Sequence, residues 1–476
     1  MSRQNGAATQ KPHERRFDSH RWAESPALNS LVDQVASAIE ALEERIRRRT
    51  EAEAFRFRTA IRVLLLNLFT VWSIDPKTKL GISLDANAYS GASRYRNPHL
   101  TYRQFEAAFR GLEALGFLKV TNPGYQFKAT GEGQVTRVVG TEKLGLLLQE
   151  ETQLSPIDVV PSPTRETILL RDNSGRMVEY DDTEDTTRMR NNLGRINHVL
   201  RQNWPDIEIS RDEWVNLQER LEAKEDRVPI DLGSRYLSRI FNNNSFLMGG
   251  RFYGGWWQNV PSDLRPYIRI NGKLTVEIDY SSIHPRMLFA MEGLEAPDDP
   301  YDIGLDPRFR EVVKQTFNAL INASTNRINP VSSFDADAIG MSWPEFKKVV
   351  RQAFAPIAKY FGTGEGIRLQ RVDSDILEKV LVYFAERGIP CLPIHDSVIM
   401  HHGYTDELEA VMTQAFEEVT GIAGKVKGTL SVQRAREARG NPDGAWDIED
   451  VLRPDPSFRD YDDRLAAWHR KGWGKA

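Results

Sequence analysis

A six-residue alternation in the middle of the chain constrains the fold most. In Leu274-Thr-Val-Glu-Ile-Asp279, Leu274, Val276 and Ile278 fall on one side, and Thr275, Glu277 and Asp279 fall on the other. That is the period of a half-buried strand. The strand delivers a carboxylate, Asp279, to its open face. Tyr280-Ser-Ser282 then turns the chain, and a helix is expected from Pro285, with Met287, Leu288 and Met291 available for packing. A carboxylate at a strand exit beside a helix start can hold a divalent cation or cap the helix. Both roles are open on this stretch alone.

A chain of 476 residues exceeds what one core serves and predicts two or three domains. The net charge is −4, so binding of nucleic acid requires local basic patches. The one cysteine, Cys391, lies in the apolar run from Ile389 to Ile394. This excludes a disulfide framework and a cysteine zinc site, and it predicts a buried thiol in a reducing compartment. Residues 1 to 25 are polar and charged, without the pattern of a signal peptide. The longest apolar run, Val63 to Trp72, contains Asn67 and is too short to span a bilayer. The expectation is a cytoplasmic protein.

Residues 1–26 read as a mobile N-terminal segment. From Leu28 to Trp72 the pattern is helical, with a basic cluster of Arg45, Arg47, Arg48 and Arg49. Arg56, Arg58 and Arg62 continue it into a helix built on Phe55, Ile61, Leu64, Leu65 and Leu68. Such a charge run is ordinarily a solvated face. Thr101-Tyr-Arg-Gln104 has the spacing of a capping box, and it opens a helix with Phe105, Ala108, Phe109, Leu112 and Leu115 on one face. Gly116 stops it. Phe117–Val120, a turn at Asn122-Pro-Gly124 and Gln134–Val139 follow. This order resembles a winged helix, which gives 27–150 as a helical and winged-helix domain. Its helix would expose Arg103 and Arg110, and its wing would offer Lys119, Lys128 and Arg137. DNA is the usual ligand of such a helix or wing, and protein contact is the alternative.

Residues 151–240 read as linker, hairpin and helical arm. Residues 151 to 165 are rich in Pro and Ser. Glu166–Arg171 and Met177–Tyr180 flank a turn at Asp172-Asn-Ser-Gly175, and Thr183–Trp204 and Ser210–Lys224 are helical. Residues 241–434 carry the chemistry. Gly249-Gly-Arg-Phe-Tyr253 places a planar cation, Arg251, after two flexible glycines. Arg310, Lys314, Asn318 and Asn322 recur every fourth residue and form one polar stripe of a helix, able to grip a triphosphate. The stretch from Leu369 predicts a helix capped at Asp373 or Ser374 that runs to Arg387. Ile389–Met400 predicts two short strands with His395-Asp396 at the bend, a second carboxylate. Residues 435–476 form a C-terminal extension, in which Trp446, Trp468 and Trp473 suggest packing only.

These motifs come in a definite order: Arg251, Gln258-Asn-Val-Pro261, Asp279-Tyr-Ser-Ser-Ile283, Arg310 with Lys314, Gln370 with Asp375-Ile376, and His395-Asp396. In that order they resemble the family A nucleic-acid polymerases, the DNA polymerase I-type enzymes and the phage-type single-subunit RNA polymerases. Each motif is weak alone, and the ordered set is specific. The resemblance spans roughly residues 245 to 405, about a third of the chain. It implies an α+β fold: a palm with helical fingers and a thumb-like arm, preceded by the winged helix. It implies that Asp279 and Asp396 hold two magnesium ions, with Arg310 and Lys314 on the incoming triphosphate. It places Tyr280, His284, Asn318 and Asn322 at the nucleotide. Arg251, Gln258, Gln370 and His395 fall on the primer–template, and the winged-helix resemblance, separately, would put Arg103, Arg110 and Arg137 on duplex DNA.

The departures fall at sugar choice. Where the family A DNA enzymes have Glu, this chain has His284, followed by Pro285. Asn318 and Asn322 replace the family's aromatic residues, and His284-Pro285 with Lys314-x-x-x-Asn318 is similar to family B polymerases. Ser397 after the second aspartate is the choice of the RNA polymerases. The expected activity is primer extension with deoxynucleotides, with the His284 ring excluding a 2′-hydroxyl; the alternatives for that ring are a hydrogen bond to the hydroxyl that favours ribonucleotides, and packing or capping of the helix that follows. An RNA-synthesising polymerase or primase is the alternative, and a non-catalytic DNA-binding protein with a relic palm is the third reading. Expected partners are DNA primer–template and nucleoside triphosphates, with no membrane.

Overall fold

In the computed structural model, two hydrophobic cores organise the described residues, 14–43, 47–91, 93–126, 133–224, 229–430 and 456–471. Arg45, Lys128, Trp446 and Trp473 lie outside them. The first core gathers β1 (Glu14–Arg16), β2 (Arg21–Trp22), α1 (Pro26–Leu42), α2 (Glu51–Ile74), β3 (Lys79–Ile82) and α3 (Tyr102–Ala114). It continues with β4 (Leu118–Asn122), β5 (Tyr125–Gln126), β6 (Gly133–Gln134), β7 (Thr136–Gly140) and α4 (Glu142–Thr152). Ser25 caps α1, and a capping box of Thr50 and Glu53 opens α2. By length and composition α2 is long and apolar enough to cross a membrane, yet 72% of its apolar window is buried within the fold. Phe55 is an exception and stands exposed at the start of that helix.

One sheet of this core has the order β1-β3-β7-β4, antiparallel except for the β1–β3 pair. The helix, strand and returning strand read from the sequence are α3, β4 and β7. The capping box expected at Thr101 does not form. Gln104 is buried instead, and its Oε1 accepts from Arg49 Nε at 3.3 Å. A tertiary partner has taken the group that the cap would need.

Residues 151–165 are not a loose linker. Leu154, Ile157 and Val159 are buried, and β8 (Val160–Pro161) pairs antiparallel with β2. Leu154 and Val159 belong to the first core, and Ile157 belongs to the second. Ion pairs flank this strap, Arg165–Asp18 at 2.8 Å and Arg21–Asp231 at 2.7 Å.

The second core begins with β9 (Ile168–Leu170), α5 (Glu184–Gln202), β10 (Pro205–Ile207), α6 (Arg211–Glu222), β11 (Ser238–Asn242) and β12 (Ser245–Tyr253). The hairpin expected over 166–180 reduces to one bridge between Arg171 and Met177, and β9 runs parallel to β11 instead. Nor does α5 project as an arm. Its Met189, Leu193 and Leu200 are buried, and Arg188 and Asn192 both bond to Glu378.

β13 (Ile268–Ile270), β14 (Lys273–Tyr280), α7 (Ile283–Met291), α8 (Arg310–Asn322), α9 (Ala336–Ile339), α10 (Trp343–Ala353) and α11 (Gly366–Ala385) follow. Then come β15 (Leu392–Ile394), β16 (Ser397–His401), α12 (Thr405–Thr420), β17 (Val426–Leu430) and α13 (Arg459–Arg470). The architecture is α+β. β14 sits centrally in an antiparallel sheet, with β16 on one edge and β13 and then β17 on the other. Residues of both its faces are buried, so it is not half-buried: Glu277 is buried with Arg265 at 3.1 Å and Ser397 Oγ at 3.0 Å. Met291, expected to pack, is exposed at the end of α7. α13 closes the far side, where Trp468 stacks on Trp204 and Arg464 pairs with Asp206 at 2.9 Å.

Candidate active site

Two turns at one end of the central sheet carry the carboxylates. Asp279 is the penultimate residue of β14 and pairs with Ser397 across to β16. The turn from β15 to β16 therefore sets Asp396 beside it, and the Tyr280 N–H donates to the Asp396 carbonyl oxygen at 3.3 Å. Each turn contains a non-glycine residue in the left-handed region, Ser282 at φ 55° and His395 at φ 56°. Such backbone costs on the order of 1 kcal/mol or more and concentrates at functional turns.

A cleft of about 740 Å³ opens above these carboxylates. One wall is the polar stripe of α8: Arg310, Lys314, Asn318 and Asn322. The opposite face of α8 buries Val313, Phe317, Leu320 and Ile321, which fixes the stripe toward the cleft. α11 packs close enough to the end of α8 that a Cβ on Gly366 would lie 2.1 Å from Asn322 Oδ1, so a side chain there would displace the Asn322 amide. Arg310 is paired with Asp299 at 2.5 Å, a hydrogen bond that raises the guanidinium further.

The other wall is a bonded cluster. Arg251 on β12 donates from Nε to both Asp373 oxygens, at 3.2 and 3.1 Å, and also bonds through Nη2. His284 Nε2 lies 3.0 Å from Asp373 Oδ2. Asp373 is 2% exposed. It does not cap α11, which begins at Gly366; Asp373 and Ser374 lie within the helix and bond across to neighbouring elements. Burial pushes the Asp396 carboxyl above its ordinary value; Arg251 pulls it down, and the Asp373 charge adds to the rise.

The cleft thus brings together Asp279, Asp396, Arg310, Lys314, Asn318, Asn322, Arg251, His284, Gln370 and His395. Other expected site residues stand differently. Alternation along β14 turns the Tyr280 side chain into the core, where its hydroxyl donates to the Met412 carbonyl at 2.7 Å. Gln258 ties strands together, its Nε2 donating to the carbonyls of Phe252 at 2.9 Å and Pro393 at 3.0 Å. Arg103 and Arg110 are exposed on α3 in the first core, and Arg110 bonds Glu106 at 2.8 Å. Arg137 is turned inward onto Glu14 and Gln134, both at 2.7 Å, so it is not an exposed wing cation.

The donor set suits magnesium. That ion takes one or two carboxylates and completes its shell with water and substrate phosphate, whereas zinc or calcium sites enclose the ion with protein ligands. Asp279 and Asp396 share one open cleft, and among the described residues no three His, Cys, Asp or Glu side chains are grouped to hold a metal.

No family model matches the chain, and no curated protein matches it. Among solved structures the chain is similar to the POL domain of Pol1 from M. smegmatis in complex with DNA primer-template and dNTP. The identity is 12% and the TM-score 0.29, over 87% of this chain and 67% of that one.

Three residues of the cleft region escape a reading of the sequence. Asp299 is one carboxylate in an acidic loop, with nothing local to tie it to Arg310. Lys427 lies directly across from Asp279 on β17 and lines the cleft. The alternation Lys425-Val-Lys-Gly-Thr-Leu430 marks that strand and places both lysines on one face. Asp373 reads as a helix cap from its neighbours, and its cross-element bonds leave no local signal.

Proposed function

We propose that this chain is a template-directed nucleotidyltransferase of the family A polymerase kind, extending a primer with deoxynucleotides. One observation carries the reading. Ten side chains drawn from segments between residues 251 and 396 line a single cleft with an acidic floor and a cationic wall. That arrangement suits a nucleoside triphosphate, whose phosphates need cations facing them. Phosphoryl transfer asks a protein for placement and charge neutralisation more than for covalent help.

In this reading the antiparallel sheet around β14 is the palm and α8 to α10 belong to the fingers. Asp279 and Asp396 would hold magnesium. Bound magnesium supplies the positive charge that activates a primer 3′-hydroxyl and stabilises the departing pyrophosphate. The chain's own residues do the rest. Lys314 and Arg310 neutralise the triphosphate from α8, and Arg310 exchanges Asp299 for phosphate oxygen as it does so. Asn318 and Asn322 offer amides along the same stripe. His284 closes the cleft near the sugar and excludes a 2′-hydroxyl by volume. The first core is a winged helix that sets α3, with Arg103 and Arg110, against duplex DNA.

The test is incubation of the purified protein with primed DNA, magnesium and labelled deoxy- or ribonucleotides. Extension with deoxynucleotides is expected. Product made from ribonucleotides without a primer would instead make this an RNA-synthesising enzyme. Tight DNA binding with no product under any of these conditions would make it a non-catalytic binding protein.

A further inference from the structure

We infer that Asp373 is a positioning residue for sugar selection: it pins the His284 imidazole on the cleft wall and so sets the preference between deoxy- and ribonucleotides. The inference rests on the nucleotidyl-transfer reading and deepens it. His284 lies in the first turn of α7, five residues after Asp279, and lines the same cleft. A nucleotide with its α-phosphate over Asp279 and Asp396 carries its sugar as the next group along. The wall it meets there includes the imidazole.

A ring can reject a hydroxyl by volume only if it cannot swing aside. His284 is held. With its proton on Nε2, His284 donates to Asp373 Oδ2 at 3.0 Å; Arg251 Nη2, itself bonded to Asp373 Oδ2, lies 3.3 Å from the same ring nitrogen. The bond is charge-assisted and its acceptor is 2% exposed, so water does not compete for it. Asp373 is itself held, within α11 and bonded through both oxygens to Arg251. Arg251 already supplies the charge that offsets burial of this carboxylate. The bond to His284 is an addition, and what it fixes is a ring on the cleft wall.

The experiment compares kcat/KM for a deoxynucleotide and its ribonucleotide on one primed template. It uses the full chain in the wild type, Asp373→Ala, Asp373→Asn, His284→Ala and the Asp373→Ala/His284→Ala double variant. Asp373→Ala should lower the deoxy-over-ribo preference by about tenfold, the size expected for loss of one charge-assisted bond to the gate. In the double variant, removal of Asp373 should leave the ratio of His284→Ala unchanged, because the ring it positions is gone. Each ratio is taken within one preparation, so the folded fraction cancels and lost stability cannot imitate the effect. If Asp373→Ala yields no soluble protein, Asp373→Asn decides on the same ratio, with a smaller drop expected because the amide keeps one acceptor.

Wild-type ratios in both Asp373 variants, beside a relaxed ratio in His284→Ala, would overturn the inference and leave the polymerase reading standing. An unchanged ratio in His284→Ala also overturns it, since the gate then lies elsewhere. Failure of the wild type to use either sugar removes the polymerase reading and this inference with it.

Discussion

On the proposed nucleotidyl-transfer reading, replacing Asp396 with Asn should separate catalysis from folding at one position. The variant keeps the shape of the side chain and removes one of the two carboxylates on the cleft floor. Asp299, the nearest acidic alternative lining the cleft, is bonded to Arg310 at 2.5 Å and 3.0 Å, so it does not replace Asp396 without freeing that arginine. Half the anionic charge available to a divalent cation is therefore lost without compensation. The loss in kcat for primer extension should reach at least about a thousandfold, or ~4 kcal/mol. Stability should move the other way. Burial pushes the Asp396 carboxyl up, so its ionised form weakens the ion-free fold at neutral pH. A neutral amide removes that cost, and the melting temperature without magnesium should hold or rise. Magnesium with nucleotide should raise the melting temperature of the wild type, by linkage, and not that of the variant. The assays are single-turnover extension and thermal unfolding with and without magnesium. Extension by Asp396→Asn within tenfold of wild type would refute the assignment, whatever the melting temperatures show.

Lys314→Ala should lower kcat/KM by about a hundredfold, and Arg310→Ala by less, because Arg310 must first leave Asp299; steady-state kinetics with nucleotide varied decides. Arg103→Ala and Arg110→Ala should each flatten the dependence of log affinity for duplex DNA on log salt, by about 0.9 for each phosphate no longer neutralised. Burial pushes the Asp18 carboxyl up, but Arg165 and Arg21 more than reverse this and hold it at about 2. That carboxylate then contributes up to about 2 kcal/mol above pH ~4, lost as the pH falls toward 2, and urea unfolding of Asp18→Asn should lack this pH dependence. Arg464→Ala leaves the buried Asp206 with Trp204 Nε1 and the Ile207 N–H as its hydrogen-bond donors, and equilibrium unfolding should register a loss of about 3 kcal/mol.

What the sequence discloses here is periodicity, and what it conceals is the distant partner. The α8 stripe is legible because Arg310, Lys314, Asn318 and Asn322 belong to one helix, so a spacing of four suffices to align them. The strand that carries Asp279 and the bend at His395-Asp396 are legible for the same reason. The alternation could not say that both faces of β14 are covered, because the cover comes from elements read separately. Residues 151–165 have a linker's composition, but β8 found its partner in β2, about 140 residues earlier.

The same limit decides which charges can act. Arg137 and Arg103 are equally basic in sequence. The first is closed off by Glu14, from the far end of the domain, while the second keeps 76% of its side chain exposed. Arg239 is wholly buried between Glu378 and Asp375, whereas Arg310 stays 45% exposed against an exposed Asp299. A buried guanidinium paired with carboxylates cannot be recruited by a substrate without leaving those carboxylates unpaired, at a cost of several kcal/mol. An exposed pair exchanges its carboxylate for phosphate at little cost. Availability of charge, rather than its presence, therefore separates Arg310 from Arg239 and Arg103 from Arg137, and it follows from tertiary pairings that no local pattern encodes.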